Sequence, residues 1–307
     1  MNPKEILKSE YGMECVIEVV EMIKSHCYRV NTGHEFYVLK RVGRLDFVRI
    51  YDKVQEVLRA DGWKQARIIP ALNGGLLSTT GWCLMDYTAG DALERYDEQQ
   101  FSAIVQIMRS YNTSLAKVPF RPEEIEVLNS WDRVSRVSWM CEQVEALAEQ
   151  RGLNPKERQL LRNAAKLLSA NLDFFHSSPK QLIHADLGPG NIIFQGGRVV
   201  SVIDFTPEYE NELYALSQFL YWTCLWGFQQ ANSVQRISDS LALYFGVRRQ
   251  QVMSPKHDLF LYLVKSALFR TLGPSLAMLE AGTFDFKRIK GRLEALEALL
   301  DIQPNIT

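Results

Sequence analysis

The sequence predicts an α+β fold: a small antiparallel β-sheet at the N-terminal end, followed by a mostly helical remainder. Three observations carry this reading. Short β-branched and aromatic runs recur up to residue 88. From Asp91 onward the apolar spacing turns helical. Inside the helical part, Leu182 to Phe205 reads as an apolar run, a tight loop, a strand, the turn Gly196-Gly197 and a second strand. The expected division is residues 1–88 and 89–307.

In chain order, residues 3–10 suit a short amphipathic helix. Strands are expected at Cys15–Val20, His26–Val30 and Glu35–Arg41, with Asn31-Thr32-Gly33 turning between the last two. Leu45 to Ala60 has a helical rhythm in Phe47, Ile50, Val54, Val57 and Leu58. Ala66–Pro70 and Leu76–Tyr87 would complete five strands. Helices follow over 101–116, 123–150, 155–176, 213–228, 233–245, 255–280 and 284–301, with Gly273-Pro274 as a break or kink inside the sixth. The 213–228 segment is apolar on most faces, which suits a buried central helix.

Composition narrows the class. The 307 residues are 47% hydrophobic and 23% charged, ample for a globular core, and the net charge of −1 offers no bulk field for nucleic acid or membrane. No apolar run reaches the ~18 residues of a membrane span. The polar start, Met1-Asn2-Pro3-Lys4-Glu5, does not resemble a secretory signal. Five scattered cysteines without a C-x-x-C suit free thiols in a reducing cytoplasm and argue against zinc.

The hairpin carries the chemistry. A Gly196-Gly197 turn sets Val202 opposite Asn191 and Asp204 opposite Pro189. Asn191 and Asp204 then become diagonal neighbours on one face, roughly 7 Å apart. Two oxygen donors at that separation suit a hard cation, Mg²⁺ above all. Asp186 lies at the mouth of the same site.

The pattern His184-x-Asp186-x-x-x-x-Asn191, followed by Ile203-Asp204-Phe205, resembles the aminoglycoside phosphotransferase and choline kinase-like superfamily. The resemblance implies a protein kinase-like bilobal fold. Residues 1–88 would be a nucleotide-binding lobe and residues 89–307 a catalytic and acceptor-binding lobe. It implies ATP, or GTP, as donor and a small-molecule hydroxyl as acceptor. Asp186 would be the catalytic base, Asn191 and Asp204 the metal ligands, and His184 a brace for the loop. Val38-Leu39-Lys40 resembles the strand that brings a lysine to the phosphates, steadied by Glu56 or, failing it, Asp52. Met85-Asp86-Tyr87 resembles the hinge that meets adenine with backbone groups.

Two departures stand beside the resemblance. The turn expected at Glu21–Ser25 lacks the glycines that let amides approach phosphates. Glu212 stands where the superfamily usually has an Asp bracing the catalytic loop. For the acceptor, Glu208, Glu210 and Glu212 would suit a cation: an aminoglycoside, an amino-sugar or an amino alcohol. A quaternary amine would also favour Trp222 or Tyr214; equally, the glutamates suit a solvated loop and a helix start. The expected activity is a cytoplasmic, Mg·ATP-dependent small-molecule kinase. A kinase-like scaffold with little or no catalysis, resembling the spore-coat branch of the superfamily, is the alternative, favoured by the missing glycines. No A-P-E segment suggests a protein kinase, and oligomeric state has no signature.

Overall fold

The computed structural model describes residues 2–13, 19–24, 26–131, 136–150, 152–226, 233–246 and 253–301. Helix α1 (Pro3–Tyr11) is capped by Asn2, whose side chain accepts from the Lys4 N–H, and is stopped by left-handed Gly12. Strands β1 (Val19–Lys24), β2 (Cys27–Asn31), β3 (Phe36–Arg41), β4 (Ile68–Ile69) and β5 (Trp82–Asp86) follow, with α2 (Leu45–Ala60) between β3 and β4. They pair antiparallel in the order β1-β2-β3-β5-β4.

Side-chain alternation sandwiches this sheet. Val30, Leu39, Trp82 and Leu84 pack on Ile6 and Leu7 of α1, whereas Ile68 and Cys83 pack on Val48 of α2. Lys40 is the cross-strand partner of Cys83 and therefore lies on the α2 face, opposite Leu39. The residues of β1 differ from expectation. Glu21 to Lys24 extend the strand, with Glu21 opposite Arg29 and Lys24 opposite Cys27. Only two residues then separate β1 from β2, and one of them, His26, is left-handed at φ 59°. The expected strand over 15–18 lies outside the described residues.

Two expected strands are shorter than their apolar runs. Pro70 has no N–H for the ladder, and β4 is confined to Ile68–Ile69. Before β5, Gly81 at φ 82° donates to the Ser78 carbonyl, which makes a turn of Ser78–Gly81. That turn is tied to α1, because the hydroxyls of Thr79 and Thr80 donate to Glu10.

The remainder comprises β6 (Asp91–Ala92), α3 (Glu98–Leu115), α4 (Pro122–Trp131), α5 (Val137–Ala148), α6 (Pro155–Ser169) and α7 (Leu172–Ser177). There follow β7 (Gln181–His184), β8 (Ile192–Gln195), β9 (Arg198–Val202), β10 (Pro207–Glu210) and α8 (Glu212–Leu220). A π-helical turn (Tyr221–Leu225), α9 (Ser233–Phe245), α10 (Met253–Glu280) and α11 (Phe286–Asp301) complete the described elements. The expected helix 123–150 is thus two helices, as is 155–176. The segment expected as a loop after Phe205 is β10, paired with β7 from Pro207↔His184 to Glu210↔Gln181. Its Glu-Tyr-Glu alternation looks solvated in sequence, yet Glu208 and Glu210 are buried.

The two parts meet at a close crossing. At Gly90, φ is 144° and an added Cβ would lie 2.4 Å from the Phe194 carbonyl oxygen. Only glycine lets this connector cross β8 before β6 pairs with it. Helix α2 bridges the parts as well: its Ile50, Val54 and Leu58 join the main core built by α3, α5, α6, α8, α10 and α11. The architecture is a bilobal α+β fold.

Candidate active site

The β8–β9 hairpin differs from its expected register by one residue. Gly196 and Gly197, at φ 57° and 76°, make the turn. A bulge between Ile193 and Phe194 then sets Ile192 opposite Val202, and the Ile203 N–H donates to the Asn191 carbonyl at 2.8 Å. A one-residue slip moves side chains to the other face, so strict alternation would aim Asp204 away from Asn191. Asp204 escapes this by leaving the strand in a left-handed conformation, φ 56°. Asp and Asn tolerate that conformation best among residues with a Cβ.

Asp204 thereby reaches the upper sheet. Its Oδ1 accepts from Lys40 Nζ at 2.9 Å, across 164 residues of sequence, with both side chains partly exposed. Glu56 does not take the lysine: it is exposed and forms no ion pair among the described residues. Asp52, one helical turn earlier, is the carboxylate facing this region. Burial pushes the Cys83 thiol up to about 12, and of the two nearby charges Lys40 opposes that shift and Asp52 adds to it. Asp52 also accepts from Gln55 Nε2 at 2.6 Å, while Gln55 Oε1 takes the Ile68 N–H.

His184, at the end of β7, is fully buried. Its Nδ1 accepts from the Asp186 N–H at 3.1 Å, and Nε2 lies 3.2 Å from the Ile203 carbonyl. With Nδ1 as acceptor, the proton sits on Nε2 and the neutral ring is a two-ended tie. Burial pushes its pKa below the ordinary 6.5, outweighing the Ile203 bond and the charges of Asp186 and Asp204. Asn191 adds a second tie: its Nδ2 donates to the Asp186 carbonyl at 2.8 Å. A neutral buried imidazole binds no proton where the unfolded chain's does, so stability is full above pH 6.5 and falls as pH drops below it. Thermal unfolding between pH 7.5 and 5 is expected to show this fall, and His184→Gln to flatten it; equal slopes would refute the assignment.

The Asp186 carboxylate has a partner no sequence spacing indicated. Arg270 Nη2 donates to Asp186 Oδ1 at 2.7 Å and to the Ala185 carbonyl at 3.2 Å, while Nε donates to Gln218 Oε1 at 2.9 Å. The guanidinium lies 4.9 Å over the Trp222 ring. Trp222 is on the π-helical turn, and an added Cβ on Gly188 would meet its ring at 2.9 Å. Pro274 explains the backbone here. Lacking an N–H, it leaves the carbonyl four residues earlier, that of Arg270, without its helical donor. Arg292 of α11 supplies one, Nη1 to the Arg270 carbonyl at 2.7 Å, with its guanidinium 4.7 Å over Trp226. Of the break or kink expected at Gly273-Pro274, the break is absent: α10 runs through Pro274 with a substituted hydrogen bond at the Arg270 carbonyl.

Other expected positions hold different partners. The N–H of Asp86 donates to Arg67 and that of Tyr87 to Phe36, so these two hinge donors already serve the sheet. The Asp86 carboxylate pairs with Arg67 at 2.7 Å, and Met85 is half-buried beside Val38 and Ile68. Glu212 does not brace the loop: it accepts from the Tyr244 hydroxyl at 2.6 Å. Glu210 forms a buried pair with Lys265 at 2.6 Å, and Lys265 also covers Tyr214, 4.2 Å from its ring. The aromatic faces of Trp222 and Tyr214, expected for a quaternary amine, each already carry a protein cation.

The donor set fits a hard cation. Asn191 spends its amide nitrogen on the Asp186 carbonyl, which leaves its side-chain oxygen as the donor atom, and Asp204 adds a half-exposed carboxylate.

Comparisons with known proteins agree with this fold. The model of a phosphotransferase enzyme family matches residues 24–207. No curated protein sequence matches the chain. Among solved structures, choline kinase LicA from Streptococcus pneumoniae superposes with a TM-score of 0.61 at 16% identity, over 96% of this chain and 99% of that one. Amicoumacin kinase hAmiN, in complex with AMP-PNP, Ca²⁺ and Ami, gives 0.68 at 13% identity over 97% and 94%. The GDP complex of aminoglycoside 2'-phosphotransferase-IIIa gives 0.64 at 16% identity over 96% of each.

Proposed function

Because the chain belongs to the phosphotransferase enzyme family, we propose that it transfers the γ-phosphoryl group of Mg·ATP to a hydroxyl of a small molecule. The observation that carries this reading is the Lys40–Asp204 contact. It joins the sheet to the catalytic hairpin at the point where His184 feels the charges of Lys40, Asp186 and Asp204 together.

Residues 1–88 would hold the nucleotide and residues 89–307 the base and the acceptor. Lys40 would turn from Asp204 to the phosphates, with Asp52 the better placed carboxylate to steady it. Asn191 and Asp204 would hold the Mg²⁺, whose charge offsets that gathering on the phosphate oxygens. Asp186 takes the proton of the acceptor hydroxyl as the new O–P bond forms and the bond to the β-phosphate's bridging oxygen breaks, leaving ADP. Arg270 keeps one Asp186 oxygen fixed and leaves the other to the hydroxyl. Such positioning supplies much of the rate in phosphoryl transfer. The AMP-PNP and GDP complexes of the similar folds leave both purines open as donors.

Thermal unfolding with and without Mg·ATP tests this. At about 100-fold over the dissociation constant the ligand stabilises by roughly 2.7 kcal/mol. We expect a Mg²⁺-dependent upward shift in the wild type that Asp204→Ala removes. One observation favours the scaffold reading: two residues between β1 and β2 leave little loop to wrap phosphates. A wild type without any shift at millimolar nucleotide would establish that reading instead.

A further inference from the structure

We propose that Arg270 reads the acceptor, and that the acceptor carries an anionic group, a carboxylate or a phosphate ester, beside the hydroxyl that is phosphorylated. The inference rests on the phosphotransferase reading above and goes on to the class of the acceptor.

A cationic acceptor needs acid or an open aromatic face near the base, and the candidates are already engaged or buried. Asp186 is paired with Arg270, Glu210 with Lys265, Glu208 is buried on β10, and Glu212 accepts from Tyr244. Trp222 and Tyr214 lie beneath Arg270 and Lys265. An ammonium brought to Asp186 would meet the Arg270 guanidinium within a few ångströms, where like charges repel strongly because solvent is partly excluded.

The guanidinium itself is built as a receptor. A guanidinium has five N–H donors in a rigid fork. Nε is bound to Gln218, and Nη2 to Asp186 and Ala185. Nη1 donates to no atom among the described residues, and the side chain remains 15% exposed. Trp222 below, wedged against Gly188, and the Arg292 bond to the Arg270 carbonyl hold it in place. A pre-organised donor pair beside the base matches an oxyanion next to a hydroxyl, because charge-assisted bonds to a fixed fork are among the strongest available. Nη2 would keep Asp186 oriented while Nη1 takes the anion, so binding the acceptor need not release the base.

The test is ADP release by the wild-type protein with Mg·ATP over a panel of four kinds of probe. Gluconate and glycerate represent hydroxy acids, and glycerol 3-phosphate and glucose 6-phosphate represent phosphate esters. Glucose and glycerol represent neutral polyols, and choline, ethanolamine and kanamycin represent cations. Anionic probes alone should raise ADP release at least about 10-fold over the basal rate. Arg270→Lys keeps the charge and loses the fork; it should raise KM for the active anion about 10-fold or more, with KM for ATP and the Mg·ATP thermal shift unchanged. Arg270→Gln should lose the stimulation and keep the thermal shift, which shows that it folds. Stimulation by cations or neutral polyols, or by no anion while Mg·ATP still binds, overturns this assignment and leaves the phosphotransferase reading standing. A wild type that shows no Mg·ATP shift sinks that reading itself. A lowered kcat with unchanged acceptor KM in Arg270→Lys would make Arg270 a positioning residue for Asp186 and also overturn the assignment.

Discussion

Asp186→Asn should lower kcat by about 10²- to 10⁴-fold, the range lost with a general base, while leaving the Mg·ATP thermal shift intact. Asparagine is the informative replacement. Its Oδ1 still accepts from Arg270 Nη2, so the guanidinium keeps its partner and its place over Trp222. Alanine would leave part of a half-buried guanidinium without its acceptor and confuse lost chemistry with lost structure. The Asp186 backbone keeps its ties in either case: its N–H donates to His184 and its carbonyl accepts from Asn191. ADP release with an acceptor that stimulates the wild type measures the effect. A loss under 10-fold would mean that Asp186 orients the hydroxyl without taking its proton, or that another group takes it.

Legibility in the sequence followed the range over which each structural decision is made. His184, Asp186, Asn191 and Asp204 stand within one short stretch, from the end of β7 to the end of the β8–β9 hairpin, where spacing and a Gly-Gly turn determine most of the geometry. Even there the bulge leaves no mark in the sequence, because Val199 and Val200 are both apolar and give no sign of which is extra. Lys40 is legible through the resemblance of Val38-Leu39-Lys40 to a phosphate-binding strand, and alternation sets only its face, opposite Leu39. Its carboxylate partner was not decidable that way. Asp52 and Glu56 are one turn apart on the same side of α2, and only the packing of that helix against β4 and β5 distinguishes them. Arg270 lies 84 residues from Asp186 in a helix that is apolar on most sides. It did leave a signal: an arginine in a buried helix, four residues ahead of a proline, marks a place where a carbonyl needs a new donor and a charge needs a reason to be inside.

The glutamates after Phe205 teach the same point through energetics, and they carry the second large effect. Glu210 and Lys265 are both buried, 8% and 2% exposed at their side chains. Burial pushes the Glu210 carboxyl up, yet the Lys265 charge and hydrogen bond outweigh that and hold it below its ordinary 4.5. Removing one partner strands the other charge in the interior, at a cost of about 3–5 kcal/mol. Lys265→Met should therefore lower Tm by several degrees. Glu210→Gln with Lys265→Met should restore most of the loss, because two neutral groups need no pairing. The pH dependence has a fixed sign. Glu210 is depressed in the folded state, so its stabilisation is full above pH 4.5 and is lost as pH falls below that value, and the double variant should lack this loss. Because Glu210 closes β10 against β7, the strand that delivers His184, Lys265→Met should also loosen the catalytic loop and lower kcat. Single and double variants of equal stability would mean that the pair is solvated in solution, and β10 would then need another explanation for lying inside.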